Sequence, residues 1–281
     1  MDTYYAHRKS TLTLKNGRLL GYDECGDPAG KPAFYFHGLP GSTVEMAHLE
    51  GAANSQGVRL IGIDRPGFGS SDFKADRTIL DFPDDVVELA DHLGISNFGV
   101  SGMSAGGVYA LACAAKIPER ITCCAVISGA GDKGLHARML GRFMPFIMMP
   151  MMARMFSDRE SSEKLLIEKM SSNMPDADQR ALAKGNTAKI MAASLVEGFA
   201  QGGKGAALDG KLISGNYGFA YGQIELENIF LWHGEADKQI PIAVALRTAE
   251  ALLHCQATFY PGEGHISVIV NHADEIVDAL A

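Results

Sequence analysis

No cluster of basic residues interrupts the sequence: 25 Lys and Arg stand against 33 Asp and Glu, a formal charge of −8. That balance repels phosphate backbones and anionic lipid, which argues against nucleic acid or a membrane surface as a partner. Cysteine pairing is lacking too. Cys25, Cys113, Cys123, Cys124 and Cys255 are odd in number and none sits in a Cys-x-x-Cys pair. Neither a disulfide framework nor a zinc site is indicated; buried reduced thiols are expected, and no metal or other cofactor is implied. Long apolar runs are absent as well. The longest uncharged apolar stretch, residues 143–153, contains Pro145 and Pro150 and falls short of the ~18 residues that a membrane span needs. Residues 1–18 hold charges and no apolar core of a secretory leader, so a soluble, cytoplasmic protein is expected. None of this sets an oligomeric state.

What is present is material for a core. With 47% hydrophobic and 21% charged residues, disorder is excluded. A chain of 281 residues should bury roughly three quarters of its surface, as one large domain or a domain with an insertion. The 32 glycines exceed the usual ~7% without a collagen-like period and announce many tight turns.

Short runs rich in β-branched and aromatic residues recur at 33–36, 58–63, 97–101, 121–128, 229–232 and 257–260. Helical patterns lie at 84–93, 105–116, 242–253 and 273–280, so strands and helices alternate as in a mostly parallel sheet covered on both faces. Residues 11–15 and 18–24, joined by Asn16-Gly17, read as an antiparallel hairpin at one edge. The alternation breaks across residues 133–215, which are helix-like and Met-rich. This predicts a helical insertion dividing a core of residues 1–132 and 216–281. Its Met148 and Met149 offer an adaptable apolar wall for substrate, and the glycines of Gln201-Gly202-Gly203-Lys204-Gly205 read as a flexible stretch.

The sharpest chemical signal is Gly102-Met103-Ser104-Ala105-Gly106-Gly107, set between a predicted strand and a predicted helix. A Gly-x-Ser-x-Gly elbow puts a serine on a strained turn above a helix N-terminus, where free N–H groups favour developing negative charge. A serine hydroxyl is a weak nucleophile and needs a base oriented by a carboxylate. His265 follows the last predicted strand in Pro261-Gly262-Glu263-Gly264-His265, and Asp237 follows the one before it in His233-Gly234-Glu235-Ala236-Asp237. Loops after parallel strands share the carboxyl edge of a sheet, so Ser104, Asp237 and His265 can converge there. Asp132 also follows a strand and competes for the carboxylate's role, as does Glu235 from its own loop; His233 is read as shaping that loop. An oxyanion hole needs two backbone N–H donors, assigned to Ala105 and to Leu39 in His37-Gly38-Leu39-Pro40-Gly41-Ser42. His37 reads as a packed loop residue.

These segments resemble the α/β-hydrolase family. His37 to Ser42 is similar to its His-Gly-x-Pro-Gly loop, Asp64-Arg65-Pro66-Gly67-Phe68-Gly69-Ser70-Ser71-Asp72 to its Asp-x-Pro-Gly-x-Gly-x-Ser segment, and the remaining three to its elbow, acid and histidine loops. The resemblance implies an eight-stranded, mostly parallel α/β sheet with a helical cap between strands six and seven. It also implies a serine hydrolase with a Ser-His-Asp triad acting on a small, apolar ester or related acyl compound. Relatives include carbon–carbon bond hydrolases, prolyl aminopeptidases and perhydrolases with the same triad, and the fold also admits a non-catalytic binding module. Ser104 stands where epoxide hydrolases and haloalkane dehalogenases carry aspartate, which argues against both. Leu39 replaces a glycine common in the aminopeptidases. The 64–72 segment reads as a structural frame, with Arg65 a candidate to face substrate.

Overall fold

The computed structural model describes residues 9–129, 131 and 143–281. Eight strands form one sheet in the order β1-β2-β4-β3-β5-β6-β7-β8. β1 (Ser10–Thr13) and β2 (Leu19–Gly26) make the predicted edge hairpin, and β2 also pairs antiparallel with β4 (Val58–Ile63). β3 (Lys31–Phe36), β5 (Phe98–Met103), β6 (Ile121–Ile127), β7 (Ile229–Gly234) and β8 (Cys255–Tyr260) complete a parallel array with β4. The order doubles back at β3, which has β4 on one side and β5 on the other. Such a reversal opens a crevice at the carboxyl ends of the strands, where ligands of open α/β sheets bind.

Period-two alternation explains how the sheet is buried on both sides. Phe34 and Phe36 of β3 face one layer, with Val86, Leu89, Val108, Tyr109 and Val244 supplied by α2 (Phe82–His92), α3 (Ala105–Lys116) and a helix at Ile242–Ala251. Ala33 and Tyr35 face the other, with Ala53, Val268, Ile269, Ile276 and Val277 from α1 (Glu50–Gln56) and the C-terminal helices Ser267–Asn271 and Ala273–Asp278. Each fully buried Phe or Leu contributes on the order of 2 kcal/mol. Cys25, Cys113, Cys123 and Cys124 are free and buried in these layers, as expected, whereas Cys255 is free and half-buried. Among the described residues no helix is long and apolar enough to cross a membrane.

Between β6 and β7 lie the helices α4 (Pro145–Met155), α5 (Arg159–Leu165), α6 (Asp176–Leu182), α7 (Thr187–Gly198) and α8 (Lys204–Ile213). The expected start of this insertion at Lys133 lies outside the described residues. The helices share a small core of Met149, Phe156, Leu166, Leu182, Ala192, Phe199 and Ala207, into which the sheet domain inserts Phe68. The stretch 201–205, read as flexible from its glycines, is closely packed at Gly203 and Gly205. Its glycines permit close approach: a Cβ at Gly205 would lie 2.2 Å from the Gly67 carbonyl oxygen, and one at Gly203 2.5 Å from the main chain of Met149. Gln201 Nε2 donates to the carbonyls of Gly69 and Ser71 at 3.0 and 2.7 Å. The seam is packed backbone against backbone.

A buried charge network fixes the insertion to the sheet. Arg65, fully buried, donates from Nε and Nη2 to Asp209 Oδ2 on α8 at 3.1 and 2.8 Å, and from Nη2 to the Gly38 carbonyl at 3.1 Å. Its Nη1 donates to the His37 carbonyl. Arg77 Nη2 reaches Asp209 Oδ1 at 2.6 Å, and the Tyr109 hydroxyl donates to the same oxygen. Burial alone would raise the Asp209 carboxyl, but Arg65 and Arg77 overcome it and hold the group at about 2. Removing one partner strands buried charge, so Asp209→Asn should lower the unfolding free energy by about 3–5 kcal/mol in urea titrations at neutral pH. Because the folded value lies below that of an unfolded aspartate, near ~3.9, the stability tied to this group is complete above pH ~4 and is lost as pH falls toward 2.

His37 belongs to the same network. Its Nδ1 bonds the Gly38 carbonyl at 2.8 Å and its Nε2 accepts the Arg65 N–H at 3.2 Å, so the assigned form is neutral with the proton on Nδ1. Burial and the Arg65 charge push its pKa well below the ordinary histidine value. Unfolding therefore takes up a proton below pH ~6.5, and stability, full above that point, declines by about 1.4 kcal/mol per pH unit for each histidine so held. His37→Asn should remove about that much slope between pH ~6 and pH ~5, read from urea midpoints; an unchanged slope would contradict the neutral assignment.

Candidate active site

Ser104 sits where β5 turns into α3, at φ 53° and ψ −116°. Only Ser128 shares a positive φ among the described non-glycine residues, and such a conformation costs roughly 1–3 kcal/mol. The glycines on either side are sterically required. A Cβ at Gly106 would lie 2.0 Å from the Phe36 carbonyl oxygen, and one at Gly102 2.2 Å from that of Gly106. The Ala105 N–H, in the first turn of α3, has no intrahelical acceptor and is free to meet an anion.

Asp237 and His265 come together at the same edge. His265 Nδ1 lies 2.7 Å from Asp237 Oδ2, while Asp237 Oδ1 accepts the N–H groups of Gln239 and Ile240 at 2.7 and 2.9 Å. Burial would raise the Asp237 carboxyl; the bond and charge of His265 and the Ile240 N–H outweigh it and lower it. Asp237 thus favours the proton on Nδ1 of His265 and leaves Nε2 a lone pair. His233 does shape the acid loop: its Nε2 bonds the Ile240 carbonyl at 2.9 Å and stands 3.5 Å from Asp237 Oδ2. Glu235 is exposed. Asp132 lies outside the described residues.

The end of β6 bridges the elbow and the histidine loop. Ile127 accepts the Ser104 N–H at 2.8 Å, and Ser128 Oγ donates to the His265 carbonyl at 3.0 Å. Neither the Ser104 hydroxyl nor His265 Nε2 makes a hydrogen bond with a described residue.

The 37–42 loop is held from below. The Gly38 N–H donates to Glu45 Oε1 at 2.9 Å, as does the Tyr35 hydroxyl at 2.7 Å. The Gly38 carbonyl points to Arg65 and His37. In a trans peptide the next N–H faces the opposite way, so the Leu39 N–H is turned away from this network. Gly38 lies beside Ser104: a Cβ on it would be 3.7 Å from Ser104 Cβ. Burial raises the Glu45 carboxyl, partly offset by these two donors. Glu45 went unnoticed in the sequence, although Ser42-Thr43-Val44-Glu45 has the Ser-x-x-Glu spacing of a helix cap; here the carboxylate turns inward instead. Arg65, a candidate to face substrate, is consumed by the network behind the loop. Met149 is buried in the cap core, whose edge also touches Leu39, whereas Met148 is 39% exposed. Among the described residues no three His, Cys, Asp or Glu side chains cluster as metal ligands would.

Solved structures share this architecture across nearly the whole chain. A hydrolase from Pseudomonas aeruginosa PA01 superposes with a TM-score of 0.74 at 17% identity, covering 98% of both chains. A carboxylesterase structure from Nitrososphaera gargenis gives a TM-score of 0.72 at 20% identity, covering 96% of each. Curated relatives match over shorter segments. The acetyltransferase component of an acetoin cleaving system from Pseudomonas putida is 29% identical over 55% of this chain and 43% of its own length. A proline iminopeptidase from Xanthomonas citri is 32% identical over 39% and 36%, and Lipase 1 of Psychrobacter immobilis is 34% identical over 43% and 38%. The chain thus spans less than half the length of these relatives. The sequence profile described as alpha/beta hydrolase fold matches residues 34–272, and the chain belongs to that family.

Proposed function

We propose that the protein is a serine hydrolase that cleaves a small, apolar ester through an acyl-enzyme on Ser104, with His265 as base and Asp237 as its orienting carboxylate. The observation that carries this reading is the 2.7 Å bond between Asp237 and His265 at the carboxyl edge that also bears the strained serine. Substrate draws the Ser104 hydroxyl toward Nε2, since catalytic hydrogen bonds are often long in the free enzyme. His265 Nε2 then takes the hydroxyl proton as Oγ attacks the ester carbonyl carbon. The carbonyl oxygen becomes an oxyanion received by the N–H groups of Leu39 and Ala105. Collapse expels the alkoxide, which takes the proton from Nε2. A water activated by the same nitrogen releases the acid and restores Ser104.

Lipase 1 is consistent with ester cleavage and the proline iminopeptidase with amide cleavage; the apolar cluster at Leu39, with Met149 and Phe68, supports an apolar acyl group. A panel of p-nitrophenyl esters of graded acyl length, run beside amide and diketone substrates, tests the class. Esters of short apolar acids should turn over fastest, and faster amide or diketone cleavage would reassign the reaction.

Ser104→Ala and His265→Ala should each lower kcat on the best ester by about 10⁴-fold or more, with the double variant little worse than either, because the two groups act as a unit. Full activity in Ser104→Ala would end the nucleophile assignment. Asp237→Asn should lower kcat by about 10⁴-fold, since an amide no longer favours the productive imidazole tautomer. Asp132→Asn should do far less, and the reverse ranking would move the acid to the loop after β6.

A further inference from the structure

The main chain of the histidine loop ends on a carboxylate that belongs to the insertion. The N–H groups of His265, Ile266 and Ser267 donate to Asp178 of α6, the first to Oδ2 and the other two to Oδ1, each at 2.9 Å. Asp178 is 1% exposed. The approach is so close that a Cβ at Gly264 would lie 2.4 Å from the Asp178 carboxyl carbon, which only glycine permits. On the other side the His265 carbonyl accepts from Ser128 Oγ at 3.0 Å. His265 is therefore gripped at its N–H by the cap and at its carbonyl by the end of β6.

The imidazole swings from this main chain about two torsions. Asp237 restrains Nδ1, and with both ends of the peptide fixed, the position of Nε2 follows. Loss of the Asp178 grip frees the 265–267 backbone while the Asp237 bond persists, so the ring shifts relative to Ser104 without leaving its partner. Misplacement of a catalytic group by about 1 Å is enough to slow a reaction by about 10²-fold.

Resting on the serine-hydrolase reading above, we propose that Asp178 is a positioning residue for the reaction, and that the docked cap is a working part of the catalytic machinery rather than a lid over it. A carboxylate suits this task because both oxygens accept. An amide in its place turns an NH₂ donor toward at least one of the three N–H groups and opens that side of the loop.

The test compares the full-length protein with Asp178→Asn and Asp178→Glu by three readouts: the second-order rate of Ser104 labelling by a fluorophosphonate, kcat and KM on p-nitrophenyl butyrate, and thermal midpoint. For folded Asp178→Asn the expected result is a 10- to 100-fold drop in both labelling rate and kcat, with KM within about threefold of the parent. Asp178→Glu keeps the acceptors one methylene further out and should recover part of the loss. Labelling and kcat within about twofold of the parent in folded Asp178→Asn, or a loss confined to KM, would overturn the proposal. Should Asp178→Asn not fold, Asp178→Glu is judged by the same criterion: labelling and kcat within twofold of the parent overturn the proposal, and a larger equal loss of both at unchanged KM supports it. A parent protein that the probe never labels overturns the serine-hydrolase reading itself, a different failure from parent-like labelling of the variant.

Discussion

One buried aspartate shared by two guanidinium groups sets the position of the cap and of the loop that follows β3. Asp209 brings α8 down onto Arg65 and Arg77, and Arg65 in turn takes the carbonyls of His37 and Gly38. A buried ion pair of this kind is weak evidence for stability, because packed apolar side chains often serve as well or better. Its consequence here is geometric. With the Gly38 carbonyl committed to Arg65, the following peptide N–H faces away from it. With α8 committed through Asp209 to Arg65 and Arg77, the glycine seam at 203–205 closes on Gly67 and Met149, and the rest of the cap is seated.

From that seating the second cap carboxylate reaches the histidine loop. Asp209 and Asp178 stand on different helices, yet one fixes the loop that follows β3 and the other the loop that follows β8. The elbow between them is fixed by sterics instead. Gly106 presses on the Phe36 carbonyl, Gly102 on Gly106, and Ser104 takes a conformation other residues avoid. The strain of one such residue is small beside the burial of Phe34, Phe36 and their neighbours in the layers beneath, so a rigid core sustains it.

Local pattern made the sheet legible. The apolar runs at 33–36, 58–63 and 229–232 identify strands because each face of the sheet is buried by its own helical layer. Predicted strand ends fall within two residues of the observed ones. The elbow, acid and histidine loops were legible for a similar reason: each is a short segment at a strand end, carrying its chemistry in adjacent residues. Asp178 and Asp209 were not, because their partners lie 87 and 144 residues away in the chain, and nothing near either residue signals the pairing. The close packing at Gly203 and Gly205 was not legible either, because glycine permits both free rotation and close approach, and only the neighbour decides which applies. Met148 and Met149 show the same ambiguity within one dipeptide, one facing solvent and the other the cap core.

The histidines make the final step, since residue type alone does not select the base. His37 spends Nδ1 on the Gly38 carbonyl and Nε2 on the Arg65 N–H. No lone pair remains, and a second proton would face both an N–H donor and a guanidinium charge. His233 commits Nε2 to the Ile240 carbonyl and so braces the turn that presents Asp237. His265 alone of these three meets a carboxylate at hydrogen-bond distance and keeps its other nitrogen without a partner among the described residues. A base needs a lone pair aimed at its proton and a charge behind it to stabilise the cation it becomes. Of these three imidazoles, only the one gripped by Asp178, Ser128 and Asp237 has a carboxylate behind one nitrogen and the other nitrogen uncommitted among the described residues, which is why the proposed reaction rests on it.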